Sequence, residues 1–265
     1  MKTQEQLGAS FRALHEGEPF VIPNPWDAGS AKVFAGMGFK ALATTSSGFA
    51  FTLGLDDGGP TLDQVIEHVA VLAAATDLPL SVDLENGHGP EPTDAATAIA
   101  RAAEAGAVGG SIEDFDPEGG LYEPGLAAER VAAAVEAAGA VGFEFTLTAR
   151  AENHIRGNPD LDDTIARLQA YEAAGADVLY APGLRTTEEI RAISEATSRP
   201  LNVLARPKLT MSEIAAAGGQ RVSLGGSLAW VATAGMIEVT ERIRDEGDFS
   251  GIAVKLPDAL GEWLD

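Results

Sequence analysis

The 265-residue sequence contains no cysteine. That absence excludes a disulfide framework, a thiolate-bound zinc or iron–sulfur centre, and any mechanism with a cysteine nucleophile, base or acid. Basic residues are scarce as well: 18 lysines and arginines face 40 acids, a formal charge of −22. Nucleic acid and anionic membranes are therefore not expected partners, because phosphate recognition needs clustered Lys and Arg. Only five of the basic residues are lysines, and none ends a strand in the pattern described below. A Schiff-base mechanism needs such a lysine buried at the site. No uncharged apolar run approaches the ~20 residues that cross a bilayer. The polar start, Met1 to Gln6, lacks the basic-then-apolar order of a signal peptide, so a cytoplasmic protein is expected.

What the chain does have is length and aliphatic content. With 45% hydrophobic residues and 6% aromatics it can close a core without staples, using close Ala- and Gly-mediated packing of helices on a sheet. Short β-branched runs recur between Ala-rich helical segments, and several are preceded by the same joint: Gly36-Met37-Gly38, Ala105-Gly106-Ala107, Ala174-Gly175-Ala176 and Ala217-Gly218-Gly219. Glycine accepts the left-handed conformation at a helix end, which lets the chain turn directly into a buried strand. With the segments 19–23, 80–85, 145–150 and 201–205, the joints give eight strands, nearly all separated by an amphipathic helix. That count predicts an α/β fold, a (β/α)8 TIM-type barrel forming a single domain over 1–265 with a short N-terminal helix and a C-terminal helical tail. An open dinucleotide-binding sheet would want a glycine-rich turn after the first strand, and Asn24-Pro25-Trp26-Asp27 is not one.

Barrel chemistry sits on the loops after the strands, so the polar strand ends are the candidates. Asp83 and Glu85 alternate at the end of the third strand, and period two puts both on one face; Glu113 and Asp114 end the fourth. Oxygen ligands without His or Cys spacing suit a hard ion, Mg²⁺ before Mn²⁺, bound largely through water. The plainer alternative for each acid is solvation or helix capping. Arg150 ends the fifth strand, placed to grip a substrate carboxylate or to pair with Glu113 or Glu152. The turn Thr44-Thr45-Ser46-Ser47-Gly48 offers hydroxyl and backbone donors to an anion, or is an ordinary turn; Asp57 brings another acid over the mouth, or sits in a solvated one. Among the four histidines, His15 and His68 lie in helices as surface or packing residues, His154 lies on the fifth loop, and His88, just past the strand acids, is the candidate for acid–base work.

In order along the chain, Asn24-Pro25-Trp26-Asp27, Thr45-Ser46-Ser47-Gly48, Asp83-Leu84-Glu85-Asn86-Gly87-His88-Gly89, Ser111-Ile112-Glu113-Asp114, Thr148-Ala149-Arg150 and Val222-Ser223-Leu224-Gly225-Gly226 resemble the isocitrate lyase/phosphoenolpyruvate mutase superfamily of modified (β/α)8 barrels. The resemblance implies a 2-oxo acid or its enolate held on Mg²⁺. It implies Asp83 as the closest metal carboxylate, Glu85, Glu113 and Asp57 holding metal-bound waters, and Ser46, Ser47 and Gly48 on the ligand carboxylate. Arg150 and Asn202 would contact the ligand, and Trp26 and Asp27 would line the pocket floor. It also implies a homo-oligomer, dimer or tetramer, for which the helix 227–244 carries an apolar surface wide enough for its own barrel or a neighbour.

One departure bears on the reaction. The lyases of that superfamily carry a cysteine-containing loop after the fourth strand, and its mutase and hydrolase members carry a Lys and an Asn there. Here the loop reads Phe115 to Gly125 with no Cys, Lys, His or Asn. A Mg²⁺-dependent lyase acting on a small 2-oxo or 2-hydroxy di- or tricarboxylate, oxaloacetate decarboxylase-like or isocitrate lyase-like, is expected. His88, Tyr122 or Glu118 would then stand in where a base is needed. The alternatives are carbon–phosphorus chemistry on a phosphonopyruvate-type substrate and a non-catalytic 2-oxo acid binder.

Overall fold

The computed structural model describes residues 2–264. Helix α1 (Gln4–Glu16) is capped by Thr3 and precedes β1 (Phe20–Ile22), after which strands and helices alternate. The order is α2 (Ala28–Gly36), β2 (Leu42–Ala43), α3 (Ser46–Thr52), α4 (Leu62–Ala75), β3 (Leu80–Asp83), α5 (Pro92–Glu104) and β4 (Gly109–Glu113). A small hairpin, β5 (Phe115–Asp116) and β6 (Gly120–Leu121), follows β4 and leads into α6 (Pro124–Ala140). Then come β7 (Thr146–Arg150), α7 (Leu161–Ala173), β8 (Val178–Tyr180), α8 (Thr187–Ala196), β9 (Leu201–Leu204), α9 (Met211–Ala216), β10 (Gly219–Ser223), α10 (Ser227–Glu246) and α11 (Leu260–Leu264).

Eight strands pair in parallel in the order β1-β10-β9-β8-β7-β4-β3-β2. The amide of Ala43 donates to the Pro23 carbonyl (3.1 Å) across the remaining seam, so the sheet curls into the expected (β/α)8 barrel. Asn24 ties the same seam at the rim. Its side-chain oxygen accepts from the amides of Leu224 (2.8 Å) and Gly225 (2.9 Å), and its amide donates to the Thr44 carbonyl (2.9 Å). The aliphatic core lies between strands and helices, where Leu42, Leu72, Ile99, Ile112, Leu147 and Leu179 are fully buried. The amino-terminal mouth is plugged by α1, whose Phe11 packs with Ile22, Ala41 and Val108.

Two segments of the fold take a form that the sequence left open. The turn 44–48 runs into helix α3, because Thr45 accepts from the Gly48 amide as an N-cap. The twenty-residue α10 does not pack along its own barrel: only Ala229 is buried, and Trp230, Val231, Met236 and Ile237 stay exposed. No helix among the described residues is long and apolar enough to cross a membrane.

Candidate active site

A cavity of about 180 Å³ opens at the carboxyl ends of the strands. Its wall includes Ser46 and Ser47 from α3, Asp57, Asp83 from β3, Arg150 from β7 and Asn202 from β9. A second cavity of about 130 Å³ holds Glu85, Glu113, Phe115 and Arg156 and shares Asp57 with the first. The acids are thus brought to one rim but spread over two neighbouring hollows.

The backbone explains the split. Extended structure ends at Asp83, and Glu85 takes φ 51°, so the alternation that would have put it beside Asp83 is broken. His88 (φ 59°) is also left-handed, and Gly87 (φ 83°) turns where a Cβ would stand 2.8 Å from the Ala95 Cα. Non-glycine residues in that region cost energy and cluster at functional loops. Glu85 remains close enough to its neighbours that burial, then the charges of Asp83 and Asp57, push its carboxyl up to about 8.

Arg150 is the hub of the rim. Its Nη1 lies 3.2 Å from Glu113 and 3.7 Å from Asp83, its Nε pairs with Glu152, and its guanidinium sits over the Tyr180 ring at 5.4 Å. Burial works against the charge, but Glu113, Glu152 and Asp83 outweigh it and raise its pKa. Burial, reinforced by Glu152 and Asp83 and opposed by Arg150, holds the Glu113 carboxyl far above its ordinary range. Arg156 bridges Glu152 (3.0 Å) and Glu113 (3.4 Å) and lies over the Phe115 ring at 3.8 Å, tethering the hairpin that follows β4.

Other candidates fall elsewhere. His88 lines neither cavity, and its Nε2 is buried without a partner among the described residues. Asp27 is exposed and caps α2 through the Ser30 amide (2.6 Å). Trp26 packs edge-on to Phe34, and Gly48 is buried behind the cavity wall with its amide already given to Thr45. Asp114 points away from the barrel interior, accepting from Arg167 (3.0 Å), Tyr171 (2.5 Å) and the Glu152 amide (2.7 Å). Tyr122 is buried on Asn86 (3.1 Å) beneath Arg130, while Glu118 sits exposed at the hairpin tip. Neither lines either cavity.

The sequence reading gave no site role to Arg221, Tyr180 or Ser223, all in the wall of the first cavity. The signal for Arg221 was its register: two residues before Ser223, it faces the same side of β10.

Among the described residues, no three His, Asp or Glu side chains stand close enough to ligate one ion directly. The donor set still fits a hydrated hard cation. Mg²⁺ keeps several waters and takes one or two carboxylates. Burial first, and then the charges of Asp83 and Asp57, lift the Glu85 carboxyl to about 8, and a bound cation would relieve the second of these causes.

A parallel barrel whose carboxyl-terminal rim gathers Asp83, Glu113 and Glu152 around Arg150 has its charged groups where enzymes of this fold carry their chemistry. The chain belongs to the phosphoenolpyruvate mutase/isocitrate lyase superfamily: the family model "Phosphoenolpyruvate phosphomutase" matches residues 11–244. It is 31% identical to 2-methylisocitrate lyase of Halalkalibacterium halodurans, over 93% of this chain and 85% of that one. A candidate lyase/mutase from Burkholderia cenocepacia J2315 superposes with a TM-score of 0.94 at 48% identity, covering 98% of this chain and 96% of its own. A phosphonopyruvate hydrolase solved with oxalate and Mg²⁺ superposes at 0.84 with 25% identity, covering 97% and 92%.

Proposed function

We propose that this lyase cleaves a carbon–carbon bond in a small 2-oxo or 2-hydroxy di- or tricarboxylate, with decarboxylation of an oxaloacetate-like acid as its best-fitting reaction. The carrying observation is that the first cavity is lined by carboxylates, hydroxyls and arginines but by no Cys, Lys or His. Decarboxylation asks for no base to take a proton from a hydroxyl, because the departing carboxylate leaves the electron pair behind. Cleavage of a 2-hydroxy acid would need such a base. The volume of about 180 Å³ also suits a small acid, against roughly 300–1,000 Å³ for drug-sized ligands.

Asp83, with Glu85, Asp57 and Glu113, would hold a divalent cation, Mg²⁺ before Mn²⁺, which when bound supplies the electron sink for the breaking bond. Arg150 takes the substrate carboxylate by loosening its longest contact, that to Asp83 at 3.7 Å. Glu113 and the Tyr180 ring keep the guanidinium plane in place meanwhile. The hydroxyls of Ser46 and Ser47 donate from α3. The hairpin after β4, held by Arg156 on Phe115, walls one side of the second cavity. The uncovered apolar face of α10 supports docking on another copy of the chain, giving a dimer or tetramer.

The test is a panel of oxaloacetate, 2-methylisocitrate, isocitrate and phosphonopyruvate, followed by proton and phosphorus NMR with Mg²⁺ and after chelation, on protein whose mass in solution is read by sedimentation. Release of CO₂ from oxaloacetate, lost on chelation and restored by Mg²⁺, is expected. Turnover of phosphonopyruvate alone would overturn the reading, and a monomer would remove the role given to α10.

A further inference from the structure

Barrel interiors of this type are commonly filled by bulky branched side chains. Here the layer below the rim is small and polar, with Ser81, Ser111, Thr148, Asn202 and Ser223 facing inward around one guanidinium, that of Arg221. Arg221 is 5% exposed and forms part of the wall of the first cavity. Its Nε donates to Asn202 Oδ1 (2.8 Å), one terminal nitrogen to Thr148 Oγ1 (2.9 Å) and the other to His15 Nε2 (3.2 Å).

Each of these partners is neutral. His15 Nδ1 lies 2.9 Å from the Phe11 carbonyl and so carries the ring hydrogen, which leaves Nε2 as an acceptor. Burial, then the charge of Arg221, presses the His15 pKa down to about 3. Burial lowers Arg221 as well, but only to about 10, so it stays charged at neutral pH. None of the ion pairs among the described residues includes Arg221, in a chain with 40 acids. A buried cation without a counter-charge is costly, and the cost is recovered when an anion arrives. The amide of Asn202, oriented by Arg221, passes its donor on to Ser223 Oγ (3.0 Å), which faces the cavity.

We propose that Arg221 is the waiting counter-charge for the bound acid, selecting dianions over monoanions from the floor of the cavity while Arg150 grips from the rim. This rests on the acid-binding reading above and deepens it by fixing the charge class of the ligand. Two of the five guanidinium N–H groups remain after the three bonds to neutral partners, and the field of the charge needs no direct contact.

The probes are oxalate, a dianion, and oxamate, its monoanionic isostere, titrated calorimetrically against the protein with Mg²⁺. Arg221→Gln is expected to weaken oxalate by roughly ten-fold or more and oxamate much less, while Arg221→Lys keeps most of the discrimination. Should Arg221→Gln fail to fold, His15 gives a route from outside, since it does not line the cavity. His15→Glu sets a carboxylate against Arg221 and His15→Gln is the neutral control. The expected result is a folded His15→Glu protein that binds oxalate about ten-fold more weakly than His15→Gln, with a smaller gap for oxamate. Equal oxalate affinity in the two His15 variants overturns the role of Arg221 alone. No oxalate binding by the wild-type protein with Mg²⁺ overturns both this inference and the function on which it rests.

Discussion

The rim and the floor of this barrel solve the same problem, a buried arginine, in opposite ways. At the rim, Arg150 is surrounded by Asp83, Glu113 and Glu152; acids there outnumber cations, and burial, reinforced by the neighbouring acids, pushes the carboxyls of Glu85 and Glu113 upward. On the floor, Arg221 has only an amide, a hydroxyl and a neutral imidazole. The rim is short of positive charge and the floor short of negative charge. A cation at one and a ligand carboxylate near the other would correct both, and the cavity that joins them is where the two would meet.

The comparison is tested hardest at Asp83. Asp83→Ala removes the carboxylate that stands in the first cavity with Arg150, and turnover on the preferred oxo acid is expected to fall by roughly a thousand-fold. On the floor, Thr148→Val deletes one neutral acceptor of Arg221 and is expected to change turnover by less than about ten-fold. Steady-state kinetics on both proteins checks this. Full metal-dependent turnover in Asp83→Ala would end the assignment of the rim.

That asymmetry also shows what could be read from the sequence. The barrel was legible because eight strands and their helix-end glycines repeat locally, and the strand-end acids were legible because chemistry in this fold has a fixed address. Less legible was anything set by a single backbone angle. Glu85 shared the period of Asp83 on paper, but a left-handed φ carries it into the next hollow. His88 stood two residues past Asn86 in sequence, and its own positive φ turns it out of the site. Arg221 escaped because Ala217-Gly218-Gly219 read as the joint before the last strand, whereas the strand already begins at Gly219 and Arg221 is its third residue. Its partner His15 lies 206 residues away on the plug helix, a distance no local pattern spans.

His15 is held near 3 when folded and returns to its ordinary value when unfolded, so its neutral form contributes stability that is full above about pH 6.5 and is lost as pH falls toward 3. The slope is up to about 1.4 kcal/mol per pH unit. Urea unfolding of wild type and His15→Gln between pH 6.5 and 4.5 is expected to show the wild type losing about 2 kcal/mol relative to the variant. His68, pressed down to about 4 by burial, contributes the same slope to both proteins and cancels. A difference that does not change with pH would mean that His15 is not the neutral acceptor of Arg221.

The smallest effect, and the one that separates rim from floor most cleanly, has the reverse sign. Glu85 is raised to about 8 from an ordinary 4.5, so its contribution to stability is full below about pH 4.5 and is lost as pH rises through 8. Above that pH the rim carries one more unneutralised charge, and a divalent cation gains most by binding there. Mg²⁺ is therefore expected to raise the melting temperature by about 4 °C more at pH 8.5 than at pH 5.5, measured by differential scanning fluorimetry. Glu85→Gln removes the proton that Mg²⁺ displaces and should flatten that dependence, whereas His15→Gln, acting on the floor, should leave it intact. If His15→Gln flattened it instead, the charge excess at the rim and the charge deficit on the floor would be one coupled system, and the division between them would have to be abandoned.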